Sequence, residues 1–316
     1  MHPHQEHDRA PILLADDRSA ELRVALQALR PDLELIEESA GIEAVRRCAI
    51  WLGEPDQAER LLRSGLRPCW LQSTWAGFKP LLAADLPRDY RLSRAVGVFG
   101  QPIAEYLLAH MLEREQQLRS RRDSQLRRQW DARIPGSLCG RRVLIVGAGE
   151  IGREVARLLA PFGVRLTGVA HRPRPLEHFE RVVGLVELPA VAGAADYIVN
   201  ILPDTPGTDG IYDDAFFAAL DPAALFLNVG RGNAVVDAAL VRALGEGRLA
   251  GAVLDVFREE PLPAAHPFWD APNLTVTGHI AGPLVPAAVA RLFVANLARF
   301  QAGEALLGEV DFADCY

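Results

Sequence analysis

The segment Val143-Leu-Ile-Val-Gly-Ala-Gly-Glu-Ile-Gly152 places four apolar residues directly ahead of glycines spaced Gly147-x-Gly149-x-x-Gly152. A helical pattern follows from Glu150 to Ala160. Strand, tight turn and helix N-terminus in this order form the phosphate-binding turn of a dinucleotide-binding βαβ unit. Gly147 permits the sharp turn, Gly149 lets the backbone approach a pyrophosphate, and Gly152 lets helix and strand pack closely. Free N–H groups at the start of the helix then hold the anion. Glycine triplets also occur in ordinary turns, and it is the flanking pattern that points to a nucleotide.

Working outward, the next strand, Val164-Arg-Leu-Thr-Gly-Val-Ala170, ends where an NAD site carries an acid for the ribose 2′-hydroxyl. The chain has His171-Arg172-Pro173-Arg174 instead. Arginine pairs with a 2′-phosphate, and no carboxylate is there to repel one. NADP(H) is therefore expected over NAD(H), against the plainer reading of Arg172 and Arg174 as solvated loop residues.

The chain has 316 residues, 49% hydrophobic and 24% charged, enough for two cores without staples. Its net charge of −7 argues against nucleic acid as a partner. The one basic run, Arg119 to Arg133, has helical spacing and reads as a solvated or subunit-facing helix. Cys48, Cys69, Cys139 and Cys315 are scattered without metal-type spacing, so reduced thiols in a cytoplasm are expected. No apolar run approaches a membrane span, and the His-rich start from His2 to His7 lacks a signal-peptide core.

The first part alternates strands at Pro11–Ala15, Leu33–Ile36, Cys48–Leu52 and Trp70–Thr74 with helices at Ala20–Leu29 and near Lys79–Ala84. A long helix is predicted from Gln101 to Gln117. Six further strands follow: Val143–Val146, Leu166–Ala170, Tyr197–Leu202, Leu225–Val229, Gly251–Val256 and Leu274–Thr277. A last helix, Pro286 to Phe300, carries apolar residues at 3–4 spacing and is expected to return to the first part. The fold class is therefore α/β, with two doubly wound parallel-sheet domains. A Rossmann nucleotide domain, residues 99–282, is inserted into a smaller flavodoxin-like substrate domain of residues 1–98 and 283–316.

Polar side chains stand where strands of the nucleotide domain end: Arg231 after Leu225–Gly230, Glu260 past Ala252–Phe257, and His279 after Leu274–Gly278. Strand ends on one edge of a parallel sheet converge. Histidine can protonate a carbonyl oxygen as hydride reaches its carbon. A carboxylate beside an imidazole orients it and favours its protonated form. Arginine can clamp a substrate carboxylate bidentately. Singly, each has a bland reading as a structural histidine, an acidic loop or a turn; their joint occurrence carries the weight.

From roughly residue 70 to 300 the chain resembles the D-isomer-specific 2-hydroxyacid dehydrogenase family. The motifs are Leu138-Cys-Gly-Arg-Arg-Val143, Leu202-Pro-Asp-Thr-Pro-Gly-Thr208, Asn228-Val-Gly-Arg-Gly232 with Val236-Asp237, Asp255-Val-Phe-Arg-Glu-Glu-Pro-Leu-Pro263, and Gly278-His-Ile-Ala281. The Arg172/Arg174 pair is similar to the NADPH-using glyoxylate/hydroxypyruvate reductase branch. The resemblance implies that Arg231 binds the substrate carboxylate, His279 is the acid/base and Glu260 tunes it. It implies nucleotide contacts from Gly147, Gly149, Glu150, Ile151, Gly152, Leu202, Pro203, Thr208 and Val229, with Asp255 on the nicotinamide carboxamide. It also implies that Trp75-Ala76-Gly77 presents backbone N–H groups to the substrate carboxylate. A homodimer is the expected assembly.

Three positions depart from the family pattern. Many members have Gly where Trp75 stands, Asp where Lys79 stands, and Pro where Gly278 precedes the histidine. These leave hydride chemistry intact and bear on the substrate. The expected activity is NADP(H)-dependent reduction of small 2-ketoacids such as glyoxylate or hydroxypyruvate to D-2-hydroxyacids. The alternatives are the same chemistry on a larger or branched 2-ketoacid, and a dinucleotide-sensing scaffold that binds protein partners.

Overall fold

The computed structural model describes residues 10–312. The chain divides into two compact units: one contains the described residues up to Phe99 and from Leu284 onward, the other Gly100–Pro283.

The first unit opens with β1 (Ile12–Ala15), α1 (Ser19–Leu29), β2 (Leu35–Glu37), α2 (Ile42–Arg46), β3 (Ile50–Gly53), α3 (Pro55–Arg63), β4 (Trp70–Ser73) and β5 (Arg91–Ser93). Its five strands are all parallel, in the order β2-β1-β3-β4-β5. This is the flavodoxin-like winding. β1, β3 and β4 are buried along their whole length; β1 and β3 accordingly read as continuous apolar runs, while β4 ends on the buried polar pair Gln72-Ser73. The fifth strand was not expected from the sequence: Arg91-Leu-Ser93 is too short and too polar to stand out. The helix predicted near Lys79–Ala84 is only a 3₁₀ turn, Lys79–Leu82, with Pro80 in its first turn.

The second unit runs α4 (Gly100–Glu115), α5 (Leu118–Leu126), β6 (Arg142–Val146), α6 (Glu150–Leu159), β7 (Arg165–Val169), β8 (Arg181–Val183), α7 (Leu188–Ala192), β9 (Tyr197–Asn200), α8 (Asp214–Ala218), β10 (Leu225–Asn228), α9 (Asp237–Gly245), β11 (Gly251–Leu254) and β12 (Leu274–Val276). The sheet order is β12-β11-β10-β9-β6-β7-β8, parallel throughout. That is the Rossmann order with one additional strand, β12, beyond the sixth. The sequence reading expected six strands; the structure has seven, because the edge strand β8 is three residues long and pairs only with β7. Chain direction reverses its course across the sheet between β6 and β9, the switch point where such sheets bind ligands. The core beneath this edge is aromatic: Tyr212, Phe216, Phe217 and Phe226 meet edge to face.

The chain then returns to the first unit as α10 (Pro286–Gln301), which packs on α1. Phe293 and Phe300 stack on Trp70 with centroids 5.1 and 5.2 Å apart. Buried Asn296 donates to Gln72 Oε1 at 2.8 Å and to Leu307 O at 2.9 Å, which ties the returning helix to β4. Among the described residues, no helix is long and apolar enough to cross a membrane.

Candidate active site

The glycine turn after β6 takes the geometry its spacing predicts. Gly147 has φ +109°, which side chains rarely adopt. The N–H groups of Gly147 and Ala148 donate to Val169 O at 3.0 and 2.8 Å, so the turn is tied to the end of β7. A Cβ on Gly152 would collide with the Gly147 carbonyl, and one on Gly147 would press on the Ile201–Leu202 backbone. At Gly149 a Cβ would meet nothing within 4 Å. Gly149 thus faces open space at the N-terminus of α6, where as N-cap residue it brings no side chain of its own to cap the helix. Open room against an uncapped helix N-terminus fits a pyrophosphate.

Arg172 and Arg174 follow β7 on an exposed loop. Neither makes an ion pair or side-chain hydrogen bond among the described residues. Two unengaged guanidinium groups therefore stand a few residues past Val169, the residue that anchors the glycine turn.

The loops after β9 and β10 are built by two asparagines that the sequence reading did not select. Asn200 and Asn228 end the two strands and are fully buried. Asn200 Nδ2 donates to Asn228 Oδ1 at 2.8 Å. Asn200 Oδ1 accepts from Leu202 N and Asn228 Oδ1 from Gly230 N. Strand-end asparagines of this kind satisfy loop backbone; their signal was two adjacent strands both ending in Asn. They hold Leu202, Pro203 and buried Val229 at the sheet edge. Thr208 closes the first loop by donating to Pro203 O at 2.7 Å.

Arg231 lies on the second of these loops and is largely buried. Burial pulls its basicity down, and the nearby charges of Glu260 and Asp204 oppose that shift. Its Nη1 donates to Gly230 O at 2.6 Å. A Cβ on Gly232 would collide with the Phe257 carbonyl, so the arginine loop lies directly against the loop that carries Glu260. Arg258 stitches the two together through Val235 O at 2.9 Å and through Asn233 O.

Glu260 accepts the Phe257 N–H on Oε1 at 2.8 Å. Its Oε2 lies 2.7 Å from Nδ1 of His279. An ionised carboxylate only accepts, so Nδ1 carries the proton of this bond, and Nε2 is the ring nitrogen turned away from Glu260. Both side chains are about one-third exposed, 33% for His279 and 35% for Glu260. His279 has φ +56°, an unusual conformation for a histidine.

Asp255, 1% exposed, organises this loop. Its Oδ1 accepts from Thr277 Oγ1 at 2.6 Å and Ile280 N at 2.8 Å, its Oδ2 from Ala281 N at 2.8 Å, and its backbone oxygen from His279 N at 2.8 Å.

The loop Trp75-Ala76-Gly77 follows β4 and belongs to the first unit. The Trp75 N–H already donates to Ser73 Oγ at 3.1 Å. The expected N–H array therefore narrows to Ala76 and Gly77. The N-terminal histidines and Cys315 lie outside the described residues. Within them, no group of three or more His, Cys, Asp or Glu side chains is placed to hold a metal ion.

An open glycine turn at a helix N-terminus shares one sheet edge with a paired imidazole and a partly buried guanidinium, the arrangement of an NAD(P)-binding oxidoreductase. Residues 108–281 match the model of the D-isomer specific 2-hydroxyacid dehydrogenase NAD binding domain. The chain belongs to the D-isomer specific 2-hydroxyacid dehydrogenase family. It is 35% identical over 211 residues to a glyoxylate/hydroxypyruvate reductase A of Serratia proteamaculans, covering 67% of each chain. It is similar to the crystal structure of a family protein from Aeromonas salmonicida, with TM-score 0.90 and 36% identity over 96% of this chain and 100% of that one. It is also similar to an NADPH-dependent glyoxylate/hydroxypyruvate reductase of Sinorhizobium meliloti in complex with NADP and sulfate, with TM-score 0.84 and 29% identity over 97% and 100% of the two chains.

Proposed function

We propose that the protein reduces small 2-ketoacids of the glyoxylate and hydroxypyruvate type to D-2-hydroxyacids with NADPH. The observation that carries this reading is the 2.7 Å His279–Glu260 pair beside the largely buried Arg231. NADPH, when bound, supplies the hydride. The chain does the rest. Gly147, Gly149, Glu150, Ile151 and Gly152 would hold the pyrophosphate, Arg172 and Arg174 the 2′-phosphate. Leu202, Pro203, Thr208 and Val229 would line the nicotinamide side, with the Asp255 carboxylate toward the carboxamide. Arg231 would clamp the substrate carboxylate and polarise its carbonyl. His279 would donate a proton from Nε2 to the carbonyl oxygen while Glu260 holds Nδ1. Ala76 and Gly77, on the first unit, would offer backbone N–H groups to a carboxylate.

Two relatives support the substrate class: the Serratia protein by its name, and the Sinorhizobium protein by its name and its NADP complex. The test is a panel of 2-ketoacids, from glyoxylate to branched chains, with NADPH and NADH, followed by nicotinamide absorbance. Turnover of the smallest acids with NADPH is expected. Selective turnover of branched acids would move the substrate to the larger class, where Trp75 and Lys79 become the residues to vary. No turnover with any 2-ketoacid would overturn the reading.

The same reading includes a homodimer in the cytoplasm. Cys48 and Cys139 are free thiols, in keeping with a reducing compartment. Leu126, Trp130 and Ile134 are 78%, 96% and 88% exposed and offer apolar surface for a second copy to cover. Light scattering that gives a monomer mass would remove the dimer.

A further inference from the structure

Thr277 Oγ1 donates to Asp255 Oδ1 at 2.6 Å and lies 2.7 Å from the hydroxyl of Tyr106. A hydroxyl has one proton to give. Because the Asp255 carboxylate can only accept, that proton goes to Asp255, and Tyr106 must be the donor to Thr277. The direction of the chain is therefore Tyr106 to Thr277 to Asp255. Burial pushes the Tyr106 phenol up to about 12, so it keeps the proton it donates. His110, one turn along α4, packs edge-on to the Tyr106 ring with centroids 4.6 Å apart and holds it in place.

This chain ends on the carboxylate that sets the histidine loop. Asp255 takes the N–H groups of Ile280 and Ala281 and gives its carbonyl to the N–H of His279. Backbone on both sides of His279 is thus pinned to one residue. The pinning matters because His279 sits at φ +56°, a left-handed conformation that L-residues other than glycine adopt only at a steric cost. Left unpinned, the loop would relax toward ordinary backbone, and the ring would turn away from Glu260. Linked hydrogen bonds also polarise one another, so the outer member strengthens the inner one.

We propose that Tyr106 and Thr277 are positioning residues that hold the His279 loop in its working conformation through Asp255. The proposal rests on the 2-ketoacid reductase reading for its kinetic arm and on the structure alone for its second arm. Neither residue carries proton or hydride; their effect is on orientation.

The experiment compares Thr277→Val, Thr277→Ser and Tyr106→Phe with the unmodified protein. Valine keeps the shape of threonine and removes the hydroxyl; serine restores it. Thr277→Val is expected to lower kcat by about tenfold, the scale of one charge-assisted hydrogen bond, with ketoacid KM nearly unchanged. Thr277→Ser should recover most of it. Tyr106→Phe should fall between, at about threefold, the scale of one neutral hydrogen bond. The second arm is amide hydrogen exchange of the protein without nucleotide. Ile280 and Ala281 should exchange faster in Thr277→Val while the amides of β6, β9 and β10 keep their protection.

Unchanged kcat and unchanged exchange at Ile280 and Ala281 in Thr277→Val would overturn the proposal. So would a loss that serine does not rescue, or faster exchange across the whole sheet, since either marks a packing role alone. If the unmodified protein turns over no 2-ketoacid, the reductase reading fails, and the exchange arm still decides whether Thr277 pins the loop.

Discussion

At the carboxyl edge of the five-stranded sheet, Asp16 gives one oxygen to the Thr74 hydroxyl at 2.6 Å and the other to the Arg18 N–H at 2.9 Å. At the carboxyl edge of the seven-stranded sheet, Asp255 likewise accepts a threonine hydroxyl at 2.6 Å and two backbone N–H groups. Both are buried aspartates ending a parallel strand beside a threonine. The difference lies in what each aspartate holds. Asp16 ties β1 to β4 and steadies the turn into α1, and the carboxylates around it, Asp17 and Glu54, crowd one another. Asp255 holds the backbone of a histidine whose ring is paired with a glutamate next to a partly buried arginine. The same winding thus supplies two similar edges, and function follows from the side chains grafted on one of them.

The most severe break of that asymmetry is His279→Ala. Removing the ring proposed to protonate the carbonyl should lower kcat by about 10²–10⁴-fold with nucleotide affinity retained. Near-normal turnover would place the chemistry elsewhere. Arg231→Lys comes next. A point charge replaces a planar fork, and about 2–4 kcal/mol of transition-state stabilisation should be lost from kcat/KM. A loss under about threefold, less than 1 kcal/mol, would show that Arg231 is no clamp.

Glu260→Gln probes the pair itself. Gln keeps the shape and loses the charged acceptor for Nδ1, so kcat should fall by about tenfold, with Glu260→Asp intermediate. Equal activity of Glu260→Gln and the unmodified enzyme would mean that the 2.7 Å contact does not hold the ring for catalysis. Replacing Arg172 and Arg174 together with Ala should raise KM for NADPH by about tenfold at low salt and leave NADH nearly unchanged. Equal use of both nucleotides by the unmodified protein would make these two ordinary surface arginines.

The smallest effect belongs to the other edge. Burial, aided by the charges of Asp16 and Asp17, raises the Glu54 carboxyl above its ordinary value of 4.5. The folded state then binds a proton more tightly than the unfolded one. Stability from this group is present below the unfolded value and is lost as pH rises through the folded one. At neutral pH Glu54→Gln should therefore melt slightly higher, by less than about 2 °C, with the gain vanishing at acid pH. A lower melting point at neutral pH would show that Glu54 is not in conflict with its neighbours.

Most of the chemistry was legible because it is local. The glycine spacing around Gly147 and Gly152 is readable because close backbone approach admits no side chain there, and the structure shows those collisions. Strands buried on both faces leave unbroken apolar runs, so β6, β9, β10 and β11 were visible. Short edge strands were not: β5 and β8 have three residues each, and their pairing is decided by neighbours. Gly278, which departs from the family's usual proline, has open space where a Cβ would be, so local crowding does not demand glycine there.

What the sequence determined by itself was the order of the long buried strands, the glycine turn, and the placing of Arg231, Glu260 and His279 just past strand ends. These follow from short-range rules of periodicity, backbone sterics and parallel-strand direction. Only the tertiary structure decided which polar atoms meet. Tyr106 and Thr277 are 171 positions apart in the chain and Thr277 and Asp255 are 22 apart. Asn200 and Asn228 join across two strands. Hydrogen bonds at such separations depend on the register of strands and the seating of α4, which arise from burying the whole core, so no local pattern of residues announces them.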